Sequence, residues 1–154
     1  MITTRSRAIL AALTVSASVA IAGSSLAQGP PPPLPNPVLY LIKVEPATTP
    51  GGTFMRYYYD VLNRNAYPAA LFAAAPGLPP CGANTNSSRT WVTFFANRSN
   101  QRLQGFCALG SPNNLNGIWF ALPEGEIPPS YVYIEMHDRQ TNTKYKSNLA
   151  DTVM

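Results

Sequence analysis

The chain has 154 residues and a formal net charge of +4, from 11 Lys and Arg against 7 Asp and Glu, with one histidine and two cysteines. Two of the cations, Arg5 and Arg7, sit at the very start; without them nine basic residues face seven acidic ones, about +2, too small a surplus to steer the chain toward nucleic acid or anionic membrane. Two cysteines cannot supply the four ligands of structural zinc, and they lack the Cys-x-x-Cys spacing of a redox pair.

The chain opens with Met1-Ile-Thr-Thr-Arg5-Ser-Arg7, an uncharged run from Ala8 to Ala22, and the small-residue site Ser25-Leu26-Ala27. A basic start, a short apolar middle and an Ala-x-Ala-like end are the parts of a secretory signal, so residues 1–27 are expected to be cleaved. The alternative is an uncleaved amino-terminal anchor, although the run is short for a bilayer span. No stable membrane insertion is expected after cleavage. Residues 28–37 follow as a spacer, in which Gly29–Pro37 holds six prolines in nine residues. Each proline fixes φ and lacks an N–H, which favours an extended polyproline-type tether.

Residues 38–148 read as one β-sandwich domain, and residues 149–154 as a flexible tail. Candidate strands are Val38–Glu45, Thr53–Asn63, a short Ala69–Ala74, Arg89–Arg98, Leu103–Leu109, Gly117–Leu122, Ser130–Asp138 and Thr143–Ser147. Turn chemistry separates them, as in Pro46–Gly52, Pro76–Pro80, Gly110–Asn114, Pro123–Glu126 and Arg139–Asn142. Ala69–Ala75 has a second reading, one helical turn bounded by Pro68 and Pro76. Alternation places Val132, Ile134 and Met136 opposite Tyr131, Tyr133, Glu135 and His137. It places Val92 and Phe94 opposite Trp91, Thr93 and Phe95, and puts Leu103, Cys107 and Leu109 on one face. Short strands without covering helices predict an all-β, single antiparallel sandwich of about seven strands; a closed barrel is the alternative.

Cys81 and Cys107, 26 positions apart in a chain with an export signal, are expected to form a disulfide. Closing that loop is worth about 3 kcal/mol and would tie the long Ala75–Ser88 connection to a strand. The location implied is periplasmic or secreted.

Ser130-Tyr-Val-Tyr133-Ile-Glu-Met-His-Asp138, a polar turn and Lys144-Tyr145-Lys-Ser147 resemble the last hairpin of fibronectin type III and related immunoglobulin-like domains. Phe54–Asn63 and Trp91 would supply earlier strands of such a sandwich. The stretch Leu78–Leu122 is also similar to small exported bacterial proteins of uncharacterised function. The resemblance implies an immunoglobulin-like (fibronectin type III-like) fold. It implies no particular chemistry, because its motifs describe packing. The short Cys81–Cys107 spacing departs from the inter-sheet bridge of antibody domains.

Catalytic groups are sparse. His137 is the only histidine and falls on the polar side of its strand; there is no Gly-x-Ser-x-Gly. Glu124 and Glu126 share one turn, too close to straddle a glycosidic bond and too few to hold calcium. No catalytic residue, metal ligand or cofactor is therefore assigned. The aromatic residues carry the functional reading: a non-enzymatic binding or adhesion module with an exposed patch including Tyr131, Tyr133, Arg139 and Trp119. Its partner would be a protein or a glycan, not nucleic acid. Carbohydrate stacking on Trp119 is the first alternative; a small hydrolase or protease inhibitor is the second.

Overall fold

The computed structural model describes residues 33–154, so the expected signal (1–27) and the first half of the spacer (28–32) lie outside the described residues. Among the described residues eight strands form: β1 (Leu39–Thr49), β2 (Gly52–Val61), β3 (Thr90–Ala96), β4 (Arg102–Phe106), β5 (Ile118–Pro123), β6 (Tyr131–Asp138), β7 (Thr143–Lys146) and β8 (Ala150–Asp151). They make two antiparallel sheets. One has the order β1-β2-β5; the other has the order β4-β3-β6-β7, with β8 also paired to β6.

The inward positions of both sheets are apolar. Tyr57, Tyr59, Ile118 and Phe120 face Val92, Phe94, Val132, Ile134 and Met136 across the layer between them. Tyr59, Phe94 and Phe120 interlock there, with ring centroids 5.3 Å apart for Tyr59–Phe94 and 5.6 Å for Phe94–Phe120. The Tyr59 hydroxyl donates to the Asp151 carbonyl at 3.0 Å, which satisfies the one polar atom this ring brings inside. Burial pushes that hydroxyl's pKa up.

Several segments differ from the sequence expectation, each for a local reason. Ala69–Phe72 is a 3₁₀ turn, as the second reading of Ala69–Ala75 has it, and not a strand. Leu71 and Phe72 are both buried, and a strand would send neighbours to opposite faces. β1 runs on through Pro46 to Thr49, leaving only Pro50 and Gly51 as the turn. Proline is tolerated because β1 is an edge strand. β4 ends at Phe106, and its register shifts so that Phe94 pairs with Gln104 but Phe95 with Arg102. The extra residue at this bulge resets the alternation, so Leu103 and Phe106 both pack against the core. Leu103, Cys107 and Leu109 therefore do not share a strand face.

The carboxy-terminal stretch, expected as a flexible tail, carries β8 and buries Ala150 and Thr152. β7 and β8 lie in line along one flank of β6, against Glu135–Asp138 and Tyr131–Val132 respectively. Between them Ser147 keeps the ladder going: its N–H donates to the Ile134 carbonyl, and its hydroxyl accepts from the Ile134 N–H, both at 2.9 Å. Next to it the Asn148 amide imitates a peptide group. Its Oδ1 accepts from the Leu39 N–H at 2.7 Å and its Nδ2 donates to the Leu39 carbonyl at 2.9 Å. One side chain thus joins the edge of β1 to the end of the other sheet. The last residues of the expected spacer are also packed: Pro37 is buried, and the Pro35 carbonyl accepts from the Tyr67 hydroxyl at 2.9 Å.

Asn148→Ala should lower unfolding free energy by about 2 kcal/mol, because it leaves two edge backbone groups without partners. Phe94→Ala, which opens the inter-sheet layer, should cost about 4 kcal/mol. Urea denaturation of the two variants checks both the sizes and the order.

Candidate functional site

Cys81 and Cys107 form the disulfide that the sequence suggests, with Cα atoms 6.1 Å apart. It does not hold the 75–88 connection alone. Ser88 N–H donates to the Cys107 carbonyl at 2.7 Å, and Ala75 N–H to the Ser87 carbonyl at 2.9 Å. Arg139 reaches back to the same segment, donating to the Pro79 carbonyl and, at 3.4 Å, to the Ser87 hydroxyl.

A second fastening joins the start of β3 to the end of β6. Arg89 donates to Asp138 through Nε at 2.7 Å and Nη2 at 2.6 Å, a two-pronged pair. The Asp138 side chain is only 3% exposed and also accepts from Thr141 Oγ1 at 2.7 Å and Gln140 N–H at 3.1 Å. Those donors, Arg89 first, hold its carboxyl down from the ordinary 3.8 to about 2. Sequence reading treats these two residues as unrelated, since 49 positions separate them.

The two sheet faces that point away from the core carry aromatic rings lying under cations. On the first sheet, Lys43 Nζ stands 4.5 Å from the centre of the Tyr58 ring, and the Arg56 guanidinium 4.7 Å from Trp119. On the second, Arg139 lies 3.9 Å over Trp91, and Lys146 3.9 Å over Tyr133. Pairs at these distances are favourable by about 0.5–1 kcal/mol at exposed sites.

The structure does not gather Trp119, Tyr131, Tyr133 and Arg139 into one patch. Trp119 belongs to the outer face of the first sheet, where Phe106 of β4 meets its edge at 6.4 Å. Tyr133 points outward as alternation predicts, yet is only 6% exposed. Lys146 covers it, Phe95 stacks on it at 5.3 Å, and its hydroxyl donates to Asn100 Oδ1 at 2.9 Å. Exposure follows from these neighbours, which strand periodicity does not report. Tyr131, at 45%, is exposed. It lines a hollow of about 260 Å3 at one end of the sandwich, with Arg98, Ser99, Pro128 and Pro129. Arg139 is half-buried over Trp91.

A second hollow, of about 250 Å3, opens on the outer face of β3 and β4. Trp91, Thr93 and Arg102 line it, and Pro80 and the disulfide wall it. Gly105 leaves room for the Arg102 guanidinium against the strand: a Cβ there would meet it, and the flexible side chain would have to swing aside. Sequence reading passes over Thr93, Arg102, Lys144 and Lys146. The last two had a signal, because in Lys144-Tyr145-Lys146 alternation puts both ammonium groups opposite the partly buried Tyr145.

The acidic and histidine side chains stay apart. Asp138 faces inward to Arg89, while His137 faces outward to Asn142 Oδ1 at 2.9 Å. Glu124 and Glu126 are exposed in the turn after β5. Among the described residues, no group of three or more His, Cys, Asp or Glu is placed to hold a metal ion. No helix among them is long and apolar enough to cross a membrane.

The lowered pKa of Asp138 makes folding acid-sensitive. A depressed carboxyl adds stability above its unfolded value, and that stability is lost as pH falls from 3.8 toward 2. The amount is about 2 kcal/mol. Asp138→Asn should remove this part of the acid limb from stability measured against pH, whereas Arg89→Ala, which strands a buried carboxylate, should destabilise at neutral pH by about 3 kcal/mol. No family model, curated protein or solved structure shows significant similarity to the chain.

Proposed function

We propose that this chain is an exported, disulfide-bonded binding module, periplasmic or secreted, that works without catalysis through the outer face of β4-β3-β6-β7. Several features support the reading. The first residues have the three parts of a secretory signal, and the cysteines are joined. Seven main strands divide three against four, with the antiparallel pairing of an immunoglobulin-like sandwich. The pairing of β4 beside β3 departs from the constant-type arrangement, in which the fourth strand joins the opposite sheet, and is compatible with a fibronectin type III-like relative.

The observation that carries the assignment to one face is electrostatic. Arg102, Arg139 and Lys146 share the outer side of the second sheet, and none has a carboxylate within ion-pair distance among the described residues. On the opposite face the charges balance: Lys43 pairs with Glu45 at 3.0 Å, and Arg56, which has no ion pair among the described residues, shares the face with Asp60. Stacking of a neutral sugar on Trp119 is the weaker reading, because Arg56 already lies over that ring.

The full chain is expected to sediment with the insoluble envelope or matrix material of cells that make it. Arg102→Glu/Lys146→Glu should leave it in the supernatant, and Lys43→Glu, on the far face, should behave as the parent. Equal sedimentation of all three proteins rules out this face as the contact, and sedimentation of none removes the binding role.

A further inference from the structure

The covered rings restrict what can dock. A partner protein gains most of its affinity from aromatic or apolar anchors that become fully desolvated. Here Trp91 is under Arg139, and Tyr133 is under Lys146 with Phe95 stacked beside it. Single-stranded nucleic acid needs free rings for its bases, and neutral sugars need free rings to stack upon. What this face offers instead is a set of separated positive heads.

Their surroundings suit a hydrated polymer. Lys144 is paired with Glu135 at 2.9 Å, so Arg102, Arg139 and Lys146 are the cations left for a ligand among the described residues of this face. Trp91 and Phe95, their ring neighbours along β3, are four residues apart, roughly 13 Å at strand rise. The positive groups are therefore spaced along the sheet and not clustered on one point. Beside them, the hollow at Trp91 and Arg102 adds the Thr93 side chain, which bonds hydroxyls as well as carboxylates. The guanidinium of Arg102 lies over Gly105, in space that a Cβ there would occupy.

We infer that this face binds an acidic polysaccharide, a polymer whose sugar rings carry carboxylates. Arg102 takes a carboxylate at the hollow beside Thr93, and Lys146 and Arg139 meet others along the strand direction. The inference rests on the surface assigned above and adds the chemistry of its partner.

Titration of the full chain with polygalacturonate, dextran, poly-L-glutamate and single-stranded DNA tests it. Polygalacturonate should bind at low salt, weaken as salt rises and outrank the other three. Arg102→Gln and Lys146→Gln should each weaken it about threefold, the scale of a solvent-screened ion pair. Lys43→Gln should not. Gly105→Ala keeps every charge and only swings the flexible guanidinium aside, so it should weaken binding less than Arg102→Gln. Equal or tighter binding of poly-L-glutamate or DNA overturns the sugar assignment, and an Arg102→Gln variant that binds as the parent overturns the seat at Arg102. A chain that still sediments with cell material but ignores polygalacturonate overturns the polysaccharide and leaves the surface standing. A chain that does neither overturns both.

Discussion

The interlock of Tyr59, Phe94 and Phe120 across the two sheets is the contact on which the other features depend. Burying each ring removes about 2–3 kcal/mol worth of apolar surface from water, and the pairings add about 1 kcal/mol beyond area. The more consequential effect is on register. β2 offers aromatic side chains in both parities, because Tyr57, Tyr58 and Tyr59 are consecutive. Slipping by one would still bury a ring, but it would also bury Arg56 and Asp60, which share the parity of Tyr58. Charged neighbours thus decide which rings go inside, and the outward set of Tyr58 and Trp119 follows.

Once the inter-sheet layer is fixed, the free edges have to be dealt with, since unpaired edge backbone invites pairing with another chain. Asn148 satisfies one peptide of β1 from the side, and β8 extends the cover over β6. At the other end of the chain's longest connection, the disulfide, the Arg89–Asp138 pair and the grip of Arg139 on Pro79 all act on segments that meet near the start of β3. Cys107 lies just past β4 and Asp138 ends β6, so the long connection is fastened from two strands of one sheet. This is how a stretch rich in proline and glycine stands as a wall beside Trp91.

Fold class was legible in the sequence because alternation and turn residues are local properties. Val132, Ile134 and Met136 are inside and Glu135 and His137 are not, as spacing alone predicts. What failed required knowledge of neighbours. Ala69–Ala75 fits either a short strand or one helical turn in sequence, and the shared burial of Leu71 and Phe72 decides for the turn. Residues 149–154 looked like a tail because two strand residues carry no periodic signal. The turns of the outer face were also opaque: Asn100 and Asn142 adopt left-handed backbone, which asparagine tolerates, and each then reaches a residue of β6, Tyr133 and His137 respectively. The candidate surface was the least legible part. Direction could be read for Tyr133, but its cover by Lys146 comes from a strand that pairs with β6 only in three dimensions.

Net charge illustrates the same limit in a form that bears on function. A surplus of about +2 over the chain without its first two arginines argues against polyanion binding if charge is spread evenly. It is not. The first sheet's outer face pairs Lys43 with Glu45, and Asp138 absorbs Arg89 in the interior, so the surplus remains on the second sheet. There Arg139 and Lys146 each rest on a ring. The ring is thereby removed from the exposed apolar surface that would make the face sticky, and the cation's apolar stem is packed without neutralising its head. On the proposed binding face one interaction therefore has two consequences: it covers the rings, and it leaves the cationic heads without a carboxylate partner among the described residues.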